Sequence, residues 1–244
     1  MAWEDRSVAP KGVIMWDLDG TLIPADLRWL RRSIARTYGI AEAAVKFPDK
    51  KVHGYTDESI VVDTAINSGI AAPDAEDGIP AFHAVLDQVM HDGEAEMARD
   101  QAPYPGARET IAALQEAAFV QTVLTGNLRS AAETKIRVAG LAEHLDLSIG
   151  GYGSDARDRF ALADVVAARF AAKFNTALIP ARTVVIGDAP NDIACARNAG
   201  FRVVVVAHRG NASELAEGKP DVILEAIEPK SVVAAVTGMI LQAE

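Results

Sequence analysis

The chain has 244 residues, 50% hydrophobic and 24% charged, which suits one well-buried core with room for a second small module. Its 34 acidic and 24 basic side chains leave a formal net charge of −10, and no basic stripe interrupts that balance, which argues against a general nucleic-acid binder. A lone cysteine, Cys195, excludes an intrachain disulfide and argues against a thiolate metal cluster, and no apolar run approaches the roughly 18 residues of a membrane span.

Met1–Arg6 lacks the basic-then-apolar pattern of a signal peptide, so a cytoplasmic location is expected. Val13–Trp16 is a short run of strand formers that ends in Asp17-Leu18-Asp19-Gly20-Thr21. Leu27, Leu30, Ile34 and Tyr38 then recur at helical spacing, with Gly39 as the stop. A polar connection (Lys46–His53) and a loop at Gly54–Glu58 lead to a capped helix from about Ser59 to Asn67. Asp74–Pro80 reads as an acidic surface loop, and Phe82, Val85, Leu86, Val89 and Met90 form an amphipathic stripe. Between Pro24 and about Pro103 the pattern predicts helices and no strand.

From Tyr104 onward, strands and helices alternate. A helix is predicted at Ala107–Ala117 and a strand at Phe119–Leu124; after Thr125-Gly126-Asn127 a helix starts near Ser130, with Ser130 and Glu133 spaced as a capping box. Leu145–Ile149 reads as a short strand and Arg159–Phe174 as a helix. Further strands are expected at Thr183–Ile186, Phe201–Val206 and Val222-Ile223, with helices after Asp188 and over Ser231–Gln242. The expected fold class is α/β: a doubly wound, Rossmann-like parallel sheet with right-handed crossovers. That core spans residues 1–23 and 104–244, and a small helical cap domain is inserted at 24–103.

Parallel strands bring Asp17 and Asp19, Thr125-Gly126-Asn127, and Asp188 with Asp192 to one edge of the sheet, where ligands bind in such folds. Each stretch alone also fits a turn or a helix entry. Their convergence crowds carboxylates together, and a hard divalent cation such as Mg²⁺ relieves that crowding. Thr125, between a strand and a helix, suits a phosphate oxygen.

Asp17–Thr21, the Thr125 motif and Gly187–Asp192 resemble the motifs of the haloacid dehalogenase-like hydrolases over nearly the whole chain, most closely the phosphoglycolate-phosphatase type. Gly54–Asp57 and Tyr104–Gly106 resemble segments of that type as well. The resemblance implies an Mg²⁺-dependent phosphatase acting on a small phosphorylated metabolite, with Asp17 as nucleophile and Asp19 as general acid and base. It further implies metal ligation by Asp17, the Asp19 carbonyl, Asp188 and Asp192, and phosphate binding by Gly20, Thr125, Gly126 and Asn127. The presence of Asp19 favours phosphate esters over haloacids. The family's third-motif lysine is missing, and Arg159, with Arg157 as the neighbouring option, is expected to replace it; Lys173 lies too far along the helix. A β-phosphoglucomutase-like phosphotransferase and a catalytically weak phosphate-ligand binder are the alternative readings. Arg28, Arg31, Arg32, Lys50, Lys51, His53 and Tyr55 are candidates for substrate contact, Cys195 is expected to be core packing, and the chain is expected to be a monomer or a homodimer.

Overall fold

Val13–Trp16 and the other runs of β-branched residues pair side by side, because strands buried on both faces gain most from such side chains. The computed structural model describes residues 10–49, 54–208 and 210–241. Among them, β1 (Gly12–Trp16), β2 (Phe119–Thr125), β3 (Gly151–Tyr152), β4 (Thr183–Gly187), β5 (Arg202–Val206) and β6 (Val222–Leu224) make one parallel sheet. The strand order is 3-2-1-4-5-6. Its direction reverses between β1 and β4, and that switch point opens a crevice at the carboxyl ends of the strands.

Alternate residues of each strand face opposite layers. Ile14 and Trp16 pack with α6 (Ala107–Glu116), α7 (Arg129–Val138) and α11 (Pro229–Leu241), while Val13 and Met15 pack with α8 (Leu162–Phe174) and α9 (Pro190–Asn198). The short α10 (Ala212–Glu217), absent from the sequence reading, adds Leu215 to the second layer.

Between β1 and α6 run α1 (Arg28–Tyr38), α2 (Asp57–Asn67), α3 (Ala72–Asp77), α4 (Ile79–Asp92) and α5 (Glu94–Asp100). They share an apolar cluster centred on Trp29, Ile34, Val61, Phe82 and Leu86, which extends onto Leu128 and Ala131 of the α7 region. Gln101 ties the exit of this segment to its entry by donating to the Pro24 carbonyl at 3.0 Å and accepting from Trp29 Nε1 at 2.6 Å. None of the described helices is long and apolar enough to cross a membrane.

Four local expectations are corrected. Asp74–Pro80 is helical, spanning the end of α3 and the start of α4, because Pro73 and Pro80 sit in first turns, where the missing N–H costs nothing. Leu147–Ile149 is a 3₁₀ turn capped by Asp146, and strand pairing shifts to Gly151–Tyr152 against Leu124 and Thr125. The Ser130–Glu133 capping box does not form: α7 starts one residue earlier, Ser130 donates to Asp87, and Glu133 pairs with Arg129. The helix expected from about Ser59 begins two residues earlier, at Asp57, and has no side-chain cap; the Thr56 hydroxyl before it donates to the Arg157 carbonyl at 2.8 Å.

Candidate active site

β1 ends at the switch point, and Asp17 continues its ladder by donating its N–H to Ile186 O at 2.8 Å. The chain then turns sharply, with the N–H groups of Thr21, Leu22 and Ile23 all directed at Leu18 O. Gly20 is required twice in that turn. Its φ is +92°, and a Cβ there would lie 2.5 Å from the Asp188 carboxylate. Its N–H is committed to Ile23 O at 2.7 Å, so the Gly20 amide serves the turn. Thr21 Oγ1 donates to Asp188 Oδ1 at 3.1 Å and anchors the β1 and β4 loops to each other.

One carboxylate oxygen each from Asp17, Asp188 and Asp192 lies within 4.8 Å of the others, and all three side chains are buried. Burial, then the Asp192 charge, pushes the Asp17 carboxyl well above the usual carboxylate range, and Arg159 opposes this. Asp192 sits in the first turn of α9, where its Oδ2 accepts from the N–H groups of Asp188 at 3.0 Å and Ala189 at 2.9 Å. The same side chain therefore serves the helix entry and lies beside Asp17 and Asp188. The cluster offers only oxygen donors and carries an excess of negative charge, which fits a hard divalent cation rather than a soft one.

Arg159 lies in a 3₁₀ turn (Arg159–Ala161) leading into α8, capped by Asp158. Its Nη2 donates to Asp17 Oδ1 at 2.9 Å and to Asp192 Oδ1 at 2.5 Å. Burial works against its charge, but Asp192 and Asp17 outweigh burial and hold it protonated. Arg157 points elsewhere, pairing with Glu76 at 2.8 Å and Glu58 at 3.4 Å on the helical segment. Lys173 pairs with Asp146 at 2.8 Å, at the far end of α8.

Thr125 ends β2 fully buried, and its Oγ1 accepts from Asn127 Nδ2 at 3.1 Å. Asn127 turns toward Asp19, donating to Oδ2 at 2.8 Å. Gly126 is the docking point for the helical segment: Asp57 N–H donates to Gly126 O at 2.7 Å, and a Cβ at 126 would meet Tyr55 O at 1.9 Å.

Two functional candidates escaped the sequence reading. Lys135, on the buried face of α7, donates to Asp19 Oδ2 at 2.5 Å and to Asn127 Oδ1 at 2.6 Å. Asp57 accepts from Leu128 N–H at 2.8 Å, serving the start of α7 from another helix, and burial pushes its carboxyl up to about 6. A charged residue among Ala131, Ala132 and Ile136 was the available signal for Lys135.

Tyr55, Leu27, Leu30, Ile60, Leu86 and Met90 line the same crevice as Asp17, Asp19, Thr125 and Arg159. Of the substrate-contact candidates, Tyr55 thus reaches the crevice. Arg28 and Arg32 pair with Glu96, Arg31 donates to the Val45 carbonyl, and Lys50, Lys51 and His53 lie outside the described residues. Cys195 is buried in the apolar layer, as expected of packing.

Residues 12–200 match the model of the haloacid dehalogenase-like hydrolases. The chain belongs to that family. A curated relative, a phosphoglycolate phosphatase of Agrobacterium fabrum, is 27% identical over 223 residues, covering 90% of each chain. Among solved structures, a hydrolase from Pseudomonas syringae is similar with a TM-score of 0.63 at 17% identity, covering 93% of this chain and 98% of that one. CbbY from Rhodobacter sphaeroides in complex with phosphate gives 0.60 at 20% identity, covering 88% of this chain and 94% of that one. At such identities the two structures speak for the fold. This hydrolase therefore carries the family's sheet, with its acidic cluster at the expected strand ends.

Proposed function

We propose that this hydrolase is a phosphatase that cleaves small phosphate monoesters through an aspartyl-phosphate on Asp17, with α1–α5 (residues 24–103) acting as a cap over the α/β core. The observation that carries this reading is the buried Asp17 carboxylate, held by Arg159 at 2.9 Å at the mouth of the crevice, with Asp19 facing the same crevice. The curated relative's name supports phosphoglycolate-like esters as the substrate class.

Arg159 orients the carboxylate that attacks phosphorus and faces the charge that gathers on the transferring group. Asp19 gives a proton to the leaving oxygen and later takes one from the water that hydrolyses the intermediate. The Thr125 hydroxyl and the backbone around Gly126 border the space for phosphate oxygens. Asp17, Asp188 and the Asp19 carbonyl would hold Mg²⁺, with Asp192 supporting from its helix-capping position. That cation, when bound, neutralises the carboxylates and polarises phosphate oxygens. The cap side chains exclude water from the crevice.

The test is phosphate release from a panel of alkyl phosphates, sugar phosphates and 2-phosphoglycolate, with and without Mg²⁺, for wild type and Asp17→Asn. We expect Mg²⁺-dependent release from at least one ester, and a folded Asp17→Asn protein with no turnover. No release from any ester, a full rate in chelator, or an active Asp17→Asn variant would overturn the reading.

A further inference from the structure

Lys135 is 7% exposed on the stripe of α7 that also carries Ala131, Ala132 and Ile136, where a helix facing a core ordinarily places apolar side chains. A lysine stays at that depth when its ammonium is paired and hydrogen-bonded. Here Nζ donates to Asp19 Oδ2 at 2.5 Å and to Asn127 Oδ1 at 2.6 Å, and Asn127 Nδ2 donates to the same Asp19 Oδ2 at 2.8 Å. These contacts close a triangle of hydrogen bonds on one oxygen of Asp19. The other oxygen, Oδ1, is buried and has no hydrogen-bond partner among the described residues. The two oxygens of one carboxylate are therefore held in different chemical situations at the edge of the crevice.

We infer that Lys135 is the positioning residue for Asp19: together with Asn127 it locks Oδ2 and leaves Oδ1 as the atom that exchanges protons with substrate and water. The inference rests on the phosphatase reading above. In the first step the bond from Asp17 to phosphorus forms as the ester P–O bond breaks. The electron pair of the broken bond stays on the leaving oxygen, which takes the proton from Asp19 Oδ1. In the second step water attacks phosphorus, the Asp17–phosphorus bond breaks, and the water's proton passes to Oδ1. Lys135 takes no part in these transfers and faces the carboxylate charge that appears between the steps.

A positioning role predicts dependence on the leaving group, which a merely structural role would not show. The probes are the fastest alkyl phosphate of the panel, whose alkoxide needs a proton to leave, and p-nitrophenyl phosphate, whose phenolate does not. For Lys135→Met we expect kcat/KM to fall about 10- to 100-fold on the alkyl ester, the range for outer groups that orient a reactive one, and less than about threefold on p-nitrophenyl phosphate. Asp19→Asn should show the same split, more steeply. Adding Lys135→Met to Asp19→Asn should cost less than about a further threefold, since groups acting as one unit are not additive. Lys135→Arg should recover part of the alkyl rate, and Lys135→Gln carries the measurement if the methionine variant does not fold. Equal losses on both esters, no loss on either, or additive losses in the double variant would overturn the inference. A split in Asp19→Asn without one in Lys135→Met overturns the Lys135 role alone, whereas no split in Asp19→Asn overturns the acid assignment and the inference together.

Discussion

Arg157 and Arg159 are two residues apart and chemically identical, yet the structure gives them opposite surroundings. Arg159 is buried and donates to two carboxylates, while Arg157 stands in solvent between Glu58 and Glu76. Removing one partner of a buried charge cluster leaves the others uncompensated, at a cost of about 3–5 kcal/mol, whereas a solvated pair contributes at most about 1 kcal/mol. Arg159→Ala should therefore lower kcat/KM by about a hundredfold or more, the scale for losing one preorganised charge-stabilising donor. Arg157→Ala should change it by less than about threefold. Steady-state phosphate release from both variants, with circular dichroism as a folding control, separates them; a larger effect at Arg157 would contradict the geometry.

Helix α2 meets α7 through Asp57, whose carboxylate accepts Leu128 N–H in place of a cap from α7's own sequence. This contact carries a charge cost. Burial, the largest cause, lifts the Asp57 carboxyl from 3.8 to about 6, while Lys135 and the Leu128 N–H pull it back down. Between pH about 4 and about 6 the unfolded chain has released this proton and the folded one still holds it, so stability through this group falls as pH rises across that window. Above about 6 the loss is complete, on the order of 3 kcal/mol at 1.36 kcal/mol per pKa unit. Asp57→Asn keeps the acceptor for Leu128 and removes the charge. We expect it to be more stable than wild type at pH 7.5, by up to that amount, and no more stable at pH 4. Urea melts at the two pH values check this, and a difference independent of pH would rule it out.

Over the whole molecule, the helical segment rests on the carboxyl edge of the sheet through a short strap. Asn191 donates to Gly54 O at 3.0 Å, Asp57 N–H to Gly126 O at 2.7 Å, and Thr56 to Arg157 O at 2.8 Å. The close approach at Gly126 depends on its lacking a side chain, since a Cβ there would lie 1.9 Å from Tyr55 O. If this strap closes the proposed cap, a phosphate mimic at Asp17 should tighten it. Beryllofluoride with Mg²⁺ should slow amide exchange in Gly54–Asp57 and at the start of α7 while leaving β5 and α11 unchanged. Unaltered exchange in the strap would remove the case for a substrate-gated cap.

The parallel α/β sheet was legible in the sequence, as were the strand ends that carry Asp17, Asp19, Thr125 and Asp188 and the helix entry that carries Asp192. Apolar runs of strand length followed by turn-forming polar residues are local signals, and parallel pairing then brings their ends together. The family's missing lysine and the place where a helix begins narrowed the compensating cation to Arg159, with Arg157 beside it. Only the tertiary structure separated Arg159 from Arg157, since a 3₁₀ turn capped by Asp158 decides which of the two faces inward. The same holds for Leu147–Ile149, whose apolar residues suit a 3₁₀ turn as well as a strand until Gly151 pairs with Leu124. Lys135 and Asp57 depended on it most. Each meets its partner across more than 70 positions of sequence, 116 for Lys135 with Asp19 and 71 for Asp57 with Leu128, and no local periodicity reports which helix faces settle against each other.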